Sequence, residues 1–224
     1  MGLEPIIEFS RVSFAFGPGP PLFQDLSLKI SAGAFCLIQG PSGSGKSTLL
    51  RLINRLEEPS AGRIFFKGRP LTSFHPPLLR RSIILIQQAP TVLDGTIRDN
   101  LLLPFTFKNN RDLVRPGEAE LNRLLEDFLL QGLNLDDHAQ TLSGGQLQRL
   151  CFIRGLLLKP EVLLLDEPTS ALDQESAEIV ESVTRRLIRE SGLTVILVSH
   201  KRVDLEDLAP VIFKVTAGRV TEAQ

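Results

Sequence analysis

Tryptophan and tyrosine are absent from this chain of 224 residues, so stacking on a planar ligand falls to its 13 phenylalanines or three histidines. Cysteine is scarce. Cys36 and Cys151 lie far apart inside apolar segments, without metal-ligand spacing, and are expected as two buried thiols in a reducing compartment. No apolar run approaches the roughly 18 residues that a membrane-spanning helix needs. The start, Met1 to Glu8, lacks the basic and apolar regions of a signal peptide. Excess charge of one sign is missing too: 25 Lys plus Arg against 26 Asp plus Glu leave a net charge of −1. That removes the electrostatic case for a nucleic-acid partner.

What is present suits one large domain, or one domain with an inserted lobe, with enough apolar residues to bury a core. Ile7, Phe9, Val12, Phe14 and Phe16, then Leu26, Leu28 and Ile30, alternate as in two antiparallel strands, with the Pro-Gly stretch 17–21 as their turn. Further strands are expected at 35–39, 62–68, 83–87, 161–166 and 193–199, and helices from near Ser47, over 144–158 and over 174–191. Leu101–Leu103, then Leu121, Leu124, Leu125, Phe128 and Leu129, recur at helical spacing. Residues from about 90 to 145 therefore read as an inserted helical lobe. Strand–helix alternation around it indicates an α/β fold with a mostly parallel sheet.

Between the expected strand at 35–39 and the expected helix lies Gly40, Pro41, Ser42, Gly43, Ser44, Gly45, Lys46, Ser47 and Thr48, which fits G-x-x-x-x-G-K-[ST]. Glycines let the backbone fold around a polyphosphate and aim successive N–H groups at it, and the helix N-terminus adds its positive end. Lys46 supplies a mobile charge to the β- and γ-phosphates, and the Ser47 hydroxyl is suited to Mg²⁺. A second apolar strand, Val162 to Leu165, ends in Asp166 and Glu167. A buried parallel strand delivers such residues to the edge where ligands bind. Beside a phosphate loop, Asp166 is expected to orient Mg²⁺ through water, and Glu167 to act as general base on an attacking water.

Leu142-Ser143-Gly144-Gly145-Gln146 follows the lobe, and Gln148-Arg149 continues it. By itself this is a capped helix start with two glycines. Together with the phosphate loop and Asp166-Glu167, the chain resembles the ATP-binding cassette (ABC) ATPases, whose signature is LSGGQ, over nearly its whole length. The resemblance implies the P-loop NTPase ABC ATPase fold, with an N-terminal antiparallel β subdomain and a helical subdomain at about 90–145 set into a core of 1–89 and 146–224. It implies ATP and Mg²⁺, with Ser47, Gln88 and Asp166 toward the metal. Phe16 falls where the family stacks an aromatic on adenine, with Phe14 as competitor. Gln88, with Gln87 beside it, matches the glutamine loop. Asp173 matches the D-loop at a dimer interface, and His200 matches the switch histidine on the γ-phosphate. His75 and His138 match nothing and are expected on the surface.

The family further implies a head-to-tail homodimer, each ATP held between Lys46 and its loop on one subunit and Ser143, Gly144, Gly145, Gln146 and Asp173 of the partner. A single cassette implies a permease on a separate polypeptide and a place at the cytoplasmic face of the membrane. The exporter-type T-x-V-G-E-x-G stretch is missing before the signature. The segment from Gln88 to Phe105 looks most like the small ATPases of bacterial iron- or metal-export systems. An importer of another small solute, or a non-transport ABC ATPase, is the alternative.

Overall fold

The alternation of the first thirty residues becomes β1 (Pro5–Phe14) and β2 (Phe23–Ser31), an antiparallel pair, in the computed structural model, which describes residues 5–199 and 208–223. β4 (Ala61–Phe66) pairs with β1, and β5 (Arg69–Pro70) with β4, giving a sheet of order β2-β1-β4-β5. Lys67 and Gly68, at φ 50° and 70°, turn β4 back into β5. Positive φ at both central residues is the form of tight hairpin turn that matches strand twist.

The second sheet contains β3 (Phe35–Gln39), β6 (Ile83–Ile86), β7 (Val162–Asp166), β8 (Thr194–Val198), β9 (Val211–Thr216) and β10 (Arg219–Ala223). Their order is β10-β9-β3-β8-β7-β6, and all but β10 run parallel. The closing hairpin β9–β10 is not foretold by strand–helix alternation, since no helix precedes its return. Ala217 and Gly218 make its turn at φ 48° and 77°.

The middle strands are apolar throughout because both faces are covered. Val162 and Leu164 of β7 pack with Leu49, Leu52 and Ile53 of α1 (Lys46–Ile53) and with the antiparallel sheet. Leu163 and Leu165 point the other way, into a second core with Leu150, Phe152 and Ile153 of α5 (Gly144–Leu156) and Val180 and Val183 of α6 (Gln174–Ser191). Period two along the strand thus assigns each residue to one of two cores. Cys36 and Cys151 are free and buried, as expected, and burial pushes the Cys36 thiol to about 12.

α2 (Pro76–Ser82) precedes β6. The inserted lobe holds α3 (Ile97–Leu102), α4 (Glu118–Asp127) and short 3₁₀ turns. Leu121, Leu125 and Phe128 are buried against α5, with the Phe128 and Phe152 ring centroids 6.5 Å apart. Leu129 departs from the expected helical stripe: it lies beyond α4 at φ 51° and is half exposed. The helix ends there in a left-handed turn, the Leu129 N–H donating to the Glu126 carbonyl and the Leu130 N–H to the Leu125 carbonyl, while the Arg149 guanidinium, buried on α5, donates to the Phe128 and Leu129 carbonyls, and also to Gly145. The end of α4 is thereby tied to the start of α5. Among the described residues no helix is long and apolar enough to cross a membrane. Because Leu164 is fully buried between α1 and the sheet, Leu164→Ala is expected to lower unfolding free energy by about 3 kcal/mol, read as a shifted urea midpoint at unchanged slope.

Candidate functional site

β3, β8, β7 and β6 are neighbours and parallel, so their C-terminal ends line one edge of the sheet. β3 leads into the glycine loop, β7 ends at Asp166, β6 leads into Gln87 and Gln88, and β8 leads into Ser199. Ligands bind at this edge of open parallel sheets. His200 lies outside the described residues.

The glycine loop is tight because its surroundings admit no side chain. A Cβ on Gly40 would lie 2.2 Å from the Val215 carbonyl oxygen, and one on Gly45 2.8 Å from the Phe23 ring. At Gly43 the same Cβ would meet nothing within 4 Å, so this part of the loop is open. Lys46 is 4% exposed, and its ammonium donates to the carbonyls of Gly40 at 3.1 Å and Pro41 at 2.9 Å. Burial pulls its pKa down, against the attraction of Glu167 and Asp166. Ser42 is exposed, Thr48 is buried, and the Ser44 hydroxyl is buried with no hydrogen-bond partner among the described residues. A buried donor without a partner, beside a cation resting on carbonyls, fits a loop built to accept phosphate oxygens.

Ser47 Oγ donates to Asp166 Oδ1 at 2.9 Å, joining the loop to β7 across 119 positions of chain. Burial raises the Asp166 pKa, the Ser47 bond opposes it, and Glu167 adds to it. A hydroxyl and a carboxylate are hard oxygen donors of the kind Mg²⁺ takes. Glu167 follows in the left-handed region at φ 48°, which costs a non-glycine residue about 1–3 kcal/mol. Three bonds hold it there: its N–H donates to the Val198 carbonyl, and its own carbonyl accepts from the Ser170 N–H and Oγ. The strained turn carries the acid past the end of the strand.

Gln87 and Gln88 are both exposed but differently engaged. Gln88 Nε2 donates to Ser170 Oγ at 2.9 Å, while the Gln87 carbonyl accepts from Gln148 Nε2 at 3.2 Å. Phe14 and Phe16 separate as clearly: Phe14 is 4% exposed in the core, whereas Phe16 is 59% exposed and meets it edge-on at 4.9 Å. Ser143 caps α5, its hydroxyl accepting from the Gln146 N–H and its own N–H donating to Gln146 Oε1. The signature glycines have different jobs. A Cβ on Gly145 would lie 2.2 Å from Ser176 Oγ, so this residue lets α5 close on α6, whereas a Cβ on Gly144 would meet nothing within 4 Å. Asp173 caps α6 through the Ser176 N–H, and those bonds hold its carboxyl below the ordinary range. Among the described residues no hydrogen bond or ion pair links 143–146 to 40–48. His75 and His138 are exposed, the latter paired with Asp94 at 3.2 Å.

The sequence places Ser170 at the start of the stretch that matches the D-loop and Gln148 in the continuation of the signature without giving either a partner, and does not single out Ser176. Their part lies in tertiary contacts across 82, 61 and 31 positions of chain, which no local pattern signals. A cavity of about 1100 Å³ lies at the opposite edge, where Gly33, Glu161 and Thr194 flank the strand starts, and none of the phosphate-loop residues lines it.

Two outcomes follow from this geometry. Gly144→Ala is expected to leave the thermal midpoint within about 2 °C of the parent while ATPase activity falls, whereas Gly145→Ala lowers both, compared by calorimetry and phosphate release. The Asp166 carboxyl ionises above its ordinary 3.8, so the unfolded chain loses that proton first and stability falls as pH rises through the window. Nucleotide-free Asp166→Asn should therefore melt above the parent at pH 7, with the difference shrinking as pH falls toward 4.

The ABC transporter family model matches residues 23–170. The probable iron export ATP-binding protein FetA of Escherichia coli is 34% identical over 99% of this chain and 96% of its own length. The methionine import ATP-binding protein MetN 2 of Rhodopseudomonas palustris is 40% identical over 98% of this chain and 59% of that protein. The dimeric structure of the ATP-binding cassette MJ0796, in a post-hydrolysis state bound to ADP and Pi, superposes with a TM-score of 0.79 at 27% identity, covering 97% of this chain and 98% of that one. The chain spans only 16–17% of the length of several larger transporters that it also matches. With 148 consecutive residues matched and the phosphate loop, Asp166-Glu167 and signature helix in one fold, the chain belongs to the ABC transporter family, as one of its ATP-binding ATPase domains.

Proposed function

We propose that the chain hydrolyses ATP to drive a separate membrane permease, working as a head-to-tail homodimer. The observation that carries this reading is the Ser47–Asp166 bond at 2.9 Å, with the strained Glu167 next in sequence. It joins the phosphate loop to the acid strand. ATP would lie with its phosphates on the N–H groups of residues 43–48 and its adenine on the exposed Phe16 ring. Lys46 would leave the Gly40 and Pro41 carbonyls for the phosphate oxygens, exchanging partial charges for full ones. Mg²⁺, which Ser47, Asp166 and Gln88 would hold, neutralises phosphate charge when bound. Glu167 takes a proton from the water that attacks the γ-phosphorus as the bond to ADP breaks, and His200 steadies the γ-phosphate oxygens.

The separation of residues 143–146 from the phosphate loop within one chain supports a shared site. The open face at Gly144 and the capped N-terminus of α5 offer N–H groups to a nucleotide held by another subunit. Residues 1–89 and 146–224 would form the core of each cassette and about 90–145 its helical subdomain. A groove of about 470 Å³ between β6 and α5, with Ile84, Pro90, Cys151 and Arg154 on its walls, is where we place a cytoplasmic helix of the permease. Such docking would put the chain at the cytoplasmic membrane face. Export of iron or another metal is the reading we favour, on the end-to-end match to FetA. Import of a small solute is the second reading, on the higher identity to MetN 2.

The test is to purify tagged Glu167→Gln from detergent-solubilised membranes with ATP. The expected result is an ATP-dependent dimer, turnover lowered at least about a hundredfold, and a polytopic membrane protein in near-equal amount. Turnover at the parent rate would remove the role given to Glu167, and soluble partners alone would remove the permease.

A further inference from the structure

Two hydrogen bonds outside the phosphate loop join into one path. Gln148 stands on α5 two residues past Gln146 and is fully buried. Its Nε2 donates to the Gln87 carbonyl at 3.2 Å. The next residue, Gln88, donates from its side chain to Ser170 Oγ at 2.9 Å, and Ser170 Oγ donates to the Glu167 carbonyl at 3.0 Å. The helix that carries the signature is thereby linked, bond by bond, to the backbone of the hydrolytic acid. The Ser170 hydroxyl accepts from Gln88 and donates to Glu167, so these two bonds polarise one another, while the peptide between Gln87 and Gln88 joins them covalently to the first.

Packing alone does not explain Gln148. An apolar side chain would fill the position without leaving a polar atom unpaired, yet Gln148 Oε1 has no hydrogen-bond partner among the described residues. The amide orientation follows from its neighbour: Nε2 must face the Gln87 carbonyl, which leaves Oε1 as the unpaired atom. An unpaired buried acceptor costs free energy in this arrangement, and a shifted glutamine loop that brought an N–H to it would recover that cost. Residues 87–89 are exposed and have room to shift, while the amide is held inside.

We propose that Gln148 is a positioning residue that sets where the glutamine loop holds Gln88, so that movement of α5, the helix that carries the signature, reaches Glu167 through Gln87, Gln88 and Ser170. The inference rests on the roles given above to Gln88 and Glu167. Coupling of this kind is established by non-additivity, not by proximity.

Gln148→Met keeps the length of the side chain and removes both polar groups, including the unpaired one. In the full chain it should melt at or above the parent. Its kcat for ATP should fall about tenfold with KM for ATP changed less than about twofold, and half-maximal rate should need more Mg²⁺. Ser170→Ala should act in the same direction. Because both cut one path, the double variant should be no more than about twofold slower than the worse single. An unchanged kcat in Gln148→Met, or a double variant as slow as the product of the singles, overturns the proposal. If Gln148→Met does not fold, the cycle of Ser170→Ala with Gln88→Ala decides by the same rule. Gln88→Ala alone separates the two levels: if it is silent, the role of Gln88 and the proposal fall together. If it is slow while Gln148→Met is not, only the proposal falls.

Discussion

β7 has no exposed face. Val162 to Leu165 are each fully buried, alternate ones against α1 and against α5 and α6. A charge in the body of such a strand would have to leave water without a partner, which folding cannot sustain. Polar chemistry is therefore confined to the strand's end, and the same holds for β3 and β8, whose bodies are buried as well. The convergence of the phosphate loop, the two acids and the glutamine loop on one edge follows from burying this sheet on both sides.

That edge keeps groups in states that a stability-optimised protein would avoid. Lys46 is buried with only carbonyls for partners, Asp166 is pushed toward its neutral form, and Glu167 sits in the left-handed region. Ser44 Oγ and Gln148 Oε1 are buried with no hydrogen-bond partner among the described residues. A polyphosphate and a divalent cation would relieve the first two, since they bring opposite charge to each. The site is thus organised around charges it does not itself contain, and ligand binding should raise stability accordingly.

Legibility in the sequence tracked locality. The phosphate loop, the apolar strand before Asp166 and the capped start of α5 are contiguous runs whose conformation depends on neighbours within a few residues, and each lies where its pattern indicated. Helical spacing continues past Asp127 to Leu129, whereas the helix stops in a left-handed turn whose Leu129 carbonyl accepts from Arg149, 20 positions away. The hairpin Val211–Ala223 depends on distant contacts too: β9 gains its place by pairing with β3, far back in the chain. Phe14 and Phe16 are equivalent as letters and were separated only by burial.

The sequence by itself determined the family, the chemistry of the phosphate loop and acid pair, and the strand–helix order, because these reside in short motifs and in periodicity. The tertiary structure alone decided which glutamine faces Ser170, which phenylalanine is free, and that Gly145 serves packing on Ser176 while Gly144 stays open. Those assignments depend on contacts between residues far apart in the chain, whose geometry exists only once the two cores on either side of the sheet have closed.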